Sequence, residues 1–268
     1  MHKLCRQIRF FVNPFPAETV DCQGGCNSYS GRPGGEGLAI YFGLWVELAG
    51  QLNVRTGFVI NVTEIDRVVR DSVVPIFDET IKEKFGRAES VSFESISEML
   101  REGASQLAGK FAPAELNSLC LELSPFRKIT IKQEDRRMYY FSEKFEFAAT
   151  HMLWNEQLSE EENFNAFGKC ANPAGHGHNY IVEVTAANED GVSFSGGKFE
   201  DVVKRDFIDL VDHKNLNVDV DKFKACNPTV ENIAAFAWQQ LNGKIIGAKL
   251  DCITVWENDR TRCSYRGD

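Results

Sequence analysis

Two histidines two residues apart, His176 and His178, lie in the stretch Gly168-Lys169-Cys170-Ala171-Asn172-Pro173-Ala174-Gly175-His176-Gly177-His178-Asn179-Tyr180. The run that follows, Tyr180-Ile181-Val182-Glu183-Val184, is rich in β-branched residues and predicts a strand. Side chains on a strand alternate faces, so both imidazoles point the same way. The chain has only five histidines, and a same-face pair is half of a chelate. Three protein histidines with one open position make a catalytic zinc site. His151, at the end of a predicted strand over residues 139–150, is the candidate for the third ligand. Gly175 and Gly177 read as keeping bulk away from a bound ion. Cys170, just upstream, is a candidate thiolate base or nucleophile. The structural alternatives are a hydrogen-bonded core histidine and a cysteine that is merely a small buried hydrophobe.

The rest of the chain sets bounds on that chemistry. With 268 residues and 43% hydrophobic content there is enough material for one large domain or two small ones. A net charge of −9 and a pI near 5.2 argue against a nucleic-acid partner. No apolar run has the length of a membrane span, and MHKLCRQIRFFVNPFP lacks a signal-peptide core. The expectation is a cytoplasmic protein without a membrane partner. Eight cysteines in a chain of this size read as reduced thiols, and Cys22 and Cys26 have no second pair with which to bind metal.

Positioning the histidines requires strands. Strands are expected over 5–12 and 38–49, with a Gly-, Asn-, Ser- and Pro-rich loop over 13–37 between them. A helix is expected over 62–75, and a second one, starting at a capping box Ser95-Ile96-Ser97-Glu98, to about residue 108. Strands over 117–123 and 127–133 close this half. The second half repeats the order: strand 139–150, an acidic loop over 159–163, strand 178–187, a helix over 198–211, a polar loop over 212–217, a helix from Pro228 to residue 241, and strands 250–257 and 261–266. This is α+β, ββααββ twice. Aligning the halves places Phe42-Gly43-Leu44 on His176-Gly177-His178, Asp78-Glu79 on Asp212-His213, and Ser124-Pro125 on Trp256-Glu257. The boundary is expected at the charged residues 134–137, giving modules 1–135 and 136–268.

The second half, FSEKFEFAATH, LSEEENFNAFGKCANPAGHGHNYIVEV, VDHKNLN, PTVEN and VWEN in that order, resembles the 6-pyruvoyltetrahydropterin synthases and the related 6-carboxytetrahydropterin synthases. The resemblance covers essentially all of 139–268. It implies the tunnelling fold, a four-stranded antiparallel sheet with two helices on one face, joined edge to edge into a barrel by several subunits. It also implies zinc as cofactor and 7,8-dihydroneopterin triphosphate as substrate, converted to 6-pyruvoyltetrahydropterin with loss of triphosphate.

Carried over by motif, His151, His176 and His178 would hold zinc. Cys170 would be the base, with Asp212 and His213 as its proton relay. Glu257 would anchor the pterin ring, and Thr229 would help recognise it. The bland readings are that Asp212 and His213 end a helix and that Thr229 caps one. The carboxy branch releases acetaldehyde as well and usually has a shorter spacing from cysteine to HGH. The five residues 171–175 favour the pyruvoyl branch, and Cys170 argues against a branch with glutamate in its place. A non-catalytic pterin-binding scaffold would not need Cys170, Asp212 and His213 together. The first half, without these residues, is expected to be a degenerate module kept for assembly. A homo-oligomer follows, a trimer of tandem chains.

Overall fold

The computed structural model describes residues 1–15, 39–189 and 191–267. The predicted loop 13–37 falls almost wholly outside them, as do Cys22 and Cys26. The chain divides into two compact units, Met1–Phe141 with Glu189–Gly191, and Ser142–Asn188 with Val192–Asp268.

Unit 1 runs β1 (His2–Val12), β2 (Ile40–Gly50), α1 (Val62–Ser72), α2 (Val74–Gly86), α3 (Phe93–Leu107), β3 (Glu115–Glu122) and β4 (Arg127–Lys132). Its strands are antiparallel in the order β1-β2-β3-β4. Alternation along β2 sends Phe42, Leu44, Val46 and Leu48 inward. Phe10, Phe42 and Phe77 cluster in the core, with Phe10 5.4 Å from Phe42 and 5.7 Å from Phe77 between ring centroids.

Two sequence expectations need correction here. A third helix, α2, begins where the first was expected to end. Pro75 sits in its first turn, where a missing N–H costs nothing, so it starts a helix rather than stopping one. The cap of α3 is Ser92, whose hydroxyl accepts the Ser95 N–H at 3.2 Å, so Ser95 lies inside the helix and not at its cap.

Unit 2 contains most of β5 (Asp135–His151), then α4 (Glu160–Phe167), β6 (His176–Glu189), α5 (Gly196–Val203), α6 (Asp209–Val211), β7 (Lys214–Asn215), α7 (Leu216–Asp219), α8 (Val230–Leu241), β8 (Lys249–Asn258) and β9 (Thr261–Tyr265). A π-helical turn, Lys204–Ile208, joins α5 to α6. The sheet order is β5-β6-β8-β9, with β6, β8 and β9 antiparallel. Phe147, Tyr180 and Phe207 form its aromatic core, Phe147 stacking on Tyr180 at 4.8 Å and meeting Phe207 edge-on at 5.7 Å.

The expected acidic loop 159–163 is instead the start of α4. Ser159 and Glu162 form a reciprocal capping box, and the three glutamates of the first turn suit the positive end of the helix. Pro228 is not the first helical residue: Thr229 is the cap of α8.

Both units carry a β-bulge at a corresponding place, Asn117 of β3 opposite Glu47 and Leu48 of β2, and Asp251 of β8 opposite Thr185 and Ala186 of β6. Matching bulge to bulge puts Phe42 on Tyr180, Leu44 on Val182 and Ile40 on His178, and the burial pattern of the two strands then agrees. The paired strands put Glu122 on Trp256, so Leu123 stands for Glu257. The residue alignment read from sequence is therefore corrected: Phe42-Gly43-Leu44 does not match the histidines. Nor does Asp78-Glu79 match Asp212-His213, since the former pair is inside α2 and the latter follows α6. Ile40, Phe42 and Leu123 line an apolar cavity of about 320 Å³ together with Phe77, Ile81 and Leu121.

Candidate active site

β5 ends on His151 and β6 begins on His176. The alternation of β6 keeps His176 and His178 on one face, and His151 meets them there. Ring centroids are 4.4 Å apart for His151 and His176, 5.3 Å for His151 and His178, and 4.9 Å for His176 and His178. One nitrogen of each ring lies within 4.8 Å of the others.

The glycines serve β5 rather than an ion. A Cβ on Gly175, which has φ +70°, would stand 3.1 Å from the His151 carbonyl oxygen, and one on Gly177 would stand 3.3 Å from Thr150 Cγ2. Close strand approach, not room for a ligand, is what they supply.

His151 is 1% exposed. Its Nδ1 lies 2.8 Å from the Pro228 carbonyl oxygen and its Nε2 3.1 Å from His176 Nε2. The Tyr180 hydroxyl is 3.4 Å from the same Nε2. Burial pushes the His151 pKa down to about 4; the Pro228 carbonyl opposes this, and His176 and His178 add to it. Burial and His178 lower His176 as well, against the pull of Glu257. Both shifts favour the neutral imidazole, the form that ligates metal.

Glu257, on β8, brings its carboxylate 3.5 Å from His178 Nε2 and 3.8 Å from His151 Nε2. His176 Nδ1 and His178 Nε2 are buried without a hydrogen-bond partner. Three converging imidazoles, two of them with an orphaned buried nitrogen, beside a carboxylate form a donor set. A divalent cation fits it, and tetrahedral zinc accepts this chemistry.

Cys170 lies in a 3-10 turn, Gly168–Ala171, between α4 and β6. Burial and, next, the Glu257 carboxylate raise its thiol pKa. Asp212 follows α6, and its carboxylate accepts the Ala148 N–H at 2.9 Å and pairs with His213 Nδ1 at 2.9 Å. His213 has φ +56°, a conformation L-residues rarely adopt, and its N–H donates to the Ala148 carbonyl at 2.6 Å. β7 then pairs with the end of β5, Ala149 with Lys214 and Thr150 with Asn215.

The result is a cleft of about 430 Å³ lined by Thr150, His178, Asn179, His213, Lys214 and Asn215. His213 therefore shares a cleft with His178. No hydrogen bond or ion pair among the described residues joins Cys170 to Asp212 or His213. Thr229 caps α8, its hydroxyl accepting the Asn232 N–H at 3.4 Å. The sequence reading missed Pro228 and Tyr180. A carbonyl acceptor has no residue-type signature, and a buried tyrosine in a strand reads as core.

An α+β unit with three converging histidines, a neighbouring carboxylate and a nearby thiol defines the class, a protein with a histidine group able to hold a metal. The family model for 6-pyruvoyl tetrahydropterin synthase matches residues 140–268. The chain is 36% identical over 131 residues to the 6-pyruvoyl tetrahydrobiopterin synthase of Homo sapiens, covering 47% of this chain and 90% of the relative. It is 35% identical over 126 residues to that of Dictyostelium discoideum, covering 46% and 91%. The solved structure of the Caenorhabditis elegans 6-pyruvoyl tetrahydropterin synthase is 32% identical, covers 49% of this chain and 96% of that one, and superposes with a TM-score of 0.46. The chain belongs to the 6-pyruvoyl tetrahydropterin synthase family, through its second half. No helix among the described residues is long and apolar enough to cross a membrane.

Proposed function

We propose that the chain is a zinc-dependent 6-pyruvoyltetrahydropterin synthase, turning 7,8-dihydroneopterin triphosphate into 6-pyruvoyltetrahydropterin with elimination of triphosphate. The observation that carries this reading is the convergence of His151, His176 and His178 beside Glu257, with His176 Nδ1 and His178 Nε2 buried and unpartnered. Relatives that carry the synthase name at 36% identity support it.

Zinc on these histidines would polarise the substrate's side-chain hydroxyls and offset the Glu257 charge that, after burial, raises the Cys170 thiol. Cys170, as thiolate, takes a carbon-bound proton, a step whose general-base contribution is about 10²–10⁴-fold. His213, oriented by Asp212, passes protons, and its exposed ring on the cleft rim leaves it free to do so. Glu257 accepts hydrogen bonds from the ring amino group and adjacent N–H, and Thr229 adds a contact at the start of α8.

Unit 1, with Ile40 at the place of His178 and Leu123 at that of Glu257, serves assembly, and the chain acts in the cytoplasm as a homo-oligomer, a trimer of tandem chains. Incubation with 7,8-dihydroneopterin triphosphate and product analysis tests the reaction. Triphosphate with the pyruvoyl product is expected. Stoichiometric acetaldehyde would assign the carboxy reaction of the queuosine route instead. Light scattering of the full chain tests the assembly.

A further inference from the structure

Residues 152–155, which lead away from His151, lie in no helix or strand. Their four successive backbone N–H groups are nevertheless all taken. Met152 donates to Asn217 Oδ1 at 2.8 Å, Leu153 to the Cys170 carbonyl at 2.9 Å, Trp154 to Asn227 Oδ1 at 2.9 Å and Asn155 to Asn163 Oδ1 at 2.8 Å. Three of the four acceptors are asparagine side chains. Asn217 also returns an Nδ2–H to the Met152 carbonyl at 3.0 Å, so its amide stands in for a peptide group of an adjoining strand.

The asparagines are themselves fixed. Asn163 is fully buried, and its Nδ2 donates to the carbonyls of Asn155, Leu158 and Ser159. The Asn227 carbonyl accepts Asn232 Nδ2 at 2.8 Å and the Thr229 N–H at 2.9 Å. The next carbonyl, that of Pro228, holds His151 Nδ1 at 2.8 Å. The segment bearing Asn227 therefore grips the 151–154 stretch twice, once at a ring and once at the backbone. Leu153, two residues beyond His151, in turn holds the backbone of Cys170.

We propose that Asn163, Asn217 and Asn227 are positioning residues that make residues 152–155 a rigid bridge between His151 and Cys170. The bridge sets the metal affinity of the three-histidine cluster and the placement of the thiol. Packing alone could not do this, because a segment without a strand partner keeps its backbone freedom unless its N–H groups are satisfied. The proposal rests on the metal-dependent reading above.

The test compares full-length wild type with Asn227→Ala and Asn227→Asp. The aspartate keeps the oxygen that Trp154 uses. Three quantities are measured: hydrogen exchange of the 152–155 amides in metal-free protein, zinc affinity by chelator competition, and kcat and KM separately. Asn227→Ala is expected to speed exchange across 152–155, weaken zinc by about 10–100-fold, the usual cost of losing an outer-shell partner, and lower kcat more than it raises KM. Asn227→Asp is expected to restore exchange protection and zinc affinity.

If Asn227→Ala does not fold, Asn217→Asp carries the same test. It keeps an acceptor for Met152 but sets a carboxylate against the Met152 carbonyl, and weaker zinc binding is expected. Wild-type zinc affinity and kcat in folded alanine or aspartate variants with faster exchange would overturn the bridge alone. A wild-type chain that takes up no zinc would overturn the metal-dependent function and the bridge together.

Discussion

The Pro228 carbonyl oxygen lies 2.8 Å from His151 Nδ1, and because a carbonyl only accepts, the proton of the neutral imidazole sits on Nδ1. The lone pair on Nε2 then faces His176 and His178. Metal content follows from this geometry. One zinc per chain is expected by elemental analysis, and His151→Ala or His178→Ala should lose it. Two per chain would contradict the apolar equivalence of Ile40 and His178.

Cys170→Ala should lower kcat by at least about 100-fold, the low end of general-base catalysis. Zinc content should not change, since the ligand set contains no sulfur. Steady-state kinetics beside metal analysis separates the two effects. Loss of zinc would make Cys170 a ligand.

Asp212 gives a stability prediction with a defined sign. The Ala148 N–H, and then His213, hold its carboxyl below the ordinary value of 3.8. A depressed carboxyl contributes stability above the unfolded pKa and loses it as pH falls through the folded one. Asp212→Asn should therefore be less stable than wild type at pH 7 in urea unfolding. The gap should close as the pH is taken well below 3.8. A gap that persists in acid would mean that charge is not its source.

Ser159→Ala removes the hydroxyl half of the α4 capping box and should cost about 1 kcal/mol. Ser159→Asp, which retains a capping oxygen, should cost far less by the same unfolding measurement.

Much of the site could be read before the fold was known. A His-Gly-His triplet entering a β-branched run puts two rings on one face by strand geometry alone, and His151 at the end of the preceding strand completes the set. Other parts could not be read. The start of α4 reads as a loop because three consecutive glutamates read as solvent-exposed polar chain. The offset between the halves is hidden for a sharper reason: strand side chains repeat every second residue, so any even shift preserves the inward and outward pattern. The bulges opposite Glu47 and Thr185 mark the register. The asparagine contacts of residues 152–155 join positions up to 73 apart in the chain, which no local pattern encodes.

The apolar residues that unit 1 carries at the places of His178 and Glu257 have a thermodynamic consequence. A ligand that binds only the native state adds stability by mass action, about 2.7 kcal/mol at a free concentration one hundred times its Kd. Unit 2, with His151, His176 and His178, is open to that linkage. Unit 1 has Ile40 at the place of His178, Phe42 at that of Tyr180 and Leu123 at that of Glu257, and those side chains offer a cation no ligand. If zinc binds as proposed, its supply tunes the stability of unit 2 directly, while these positions of unit 1 rest on hydrocarbon packing alone.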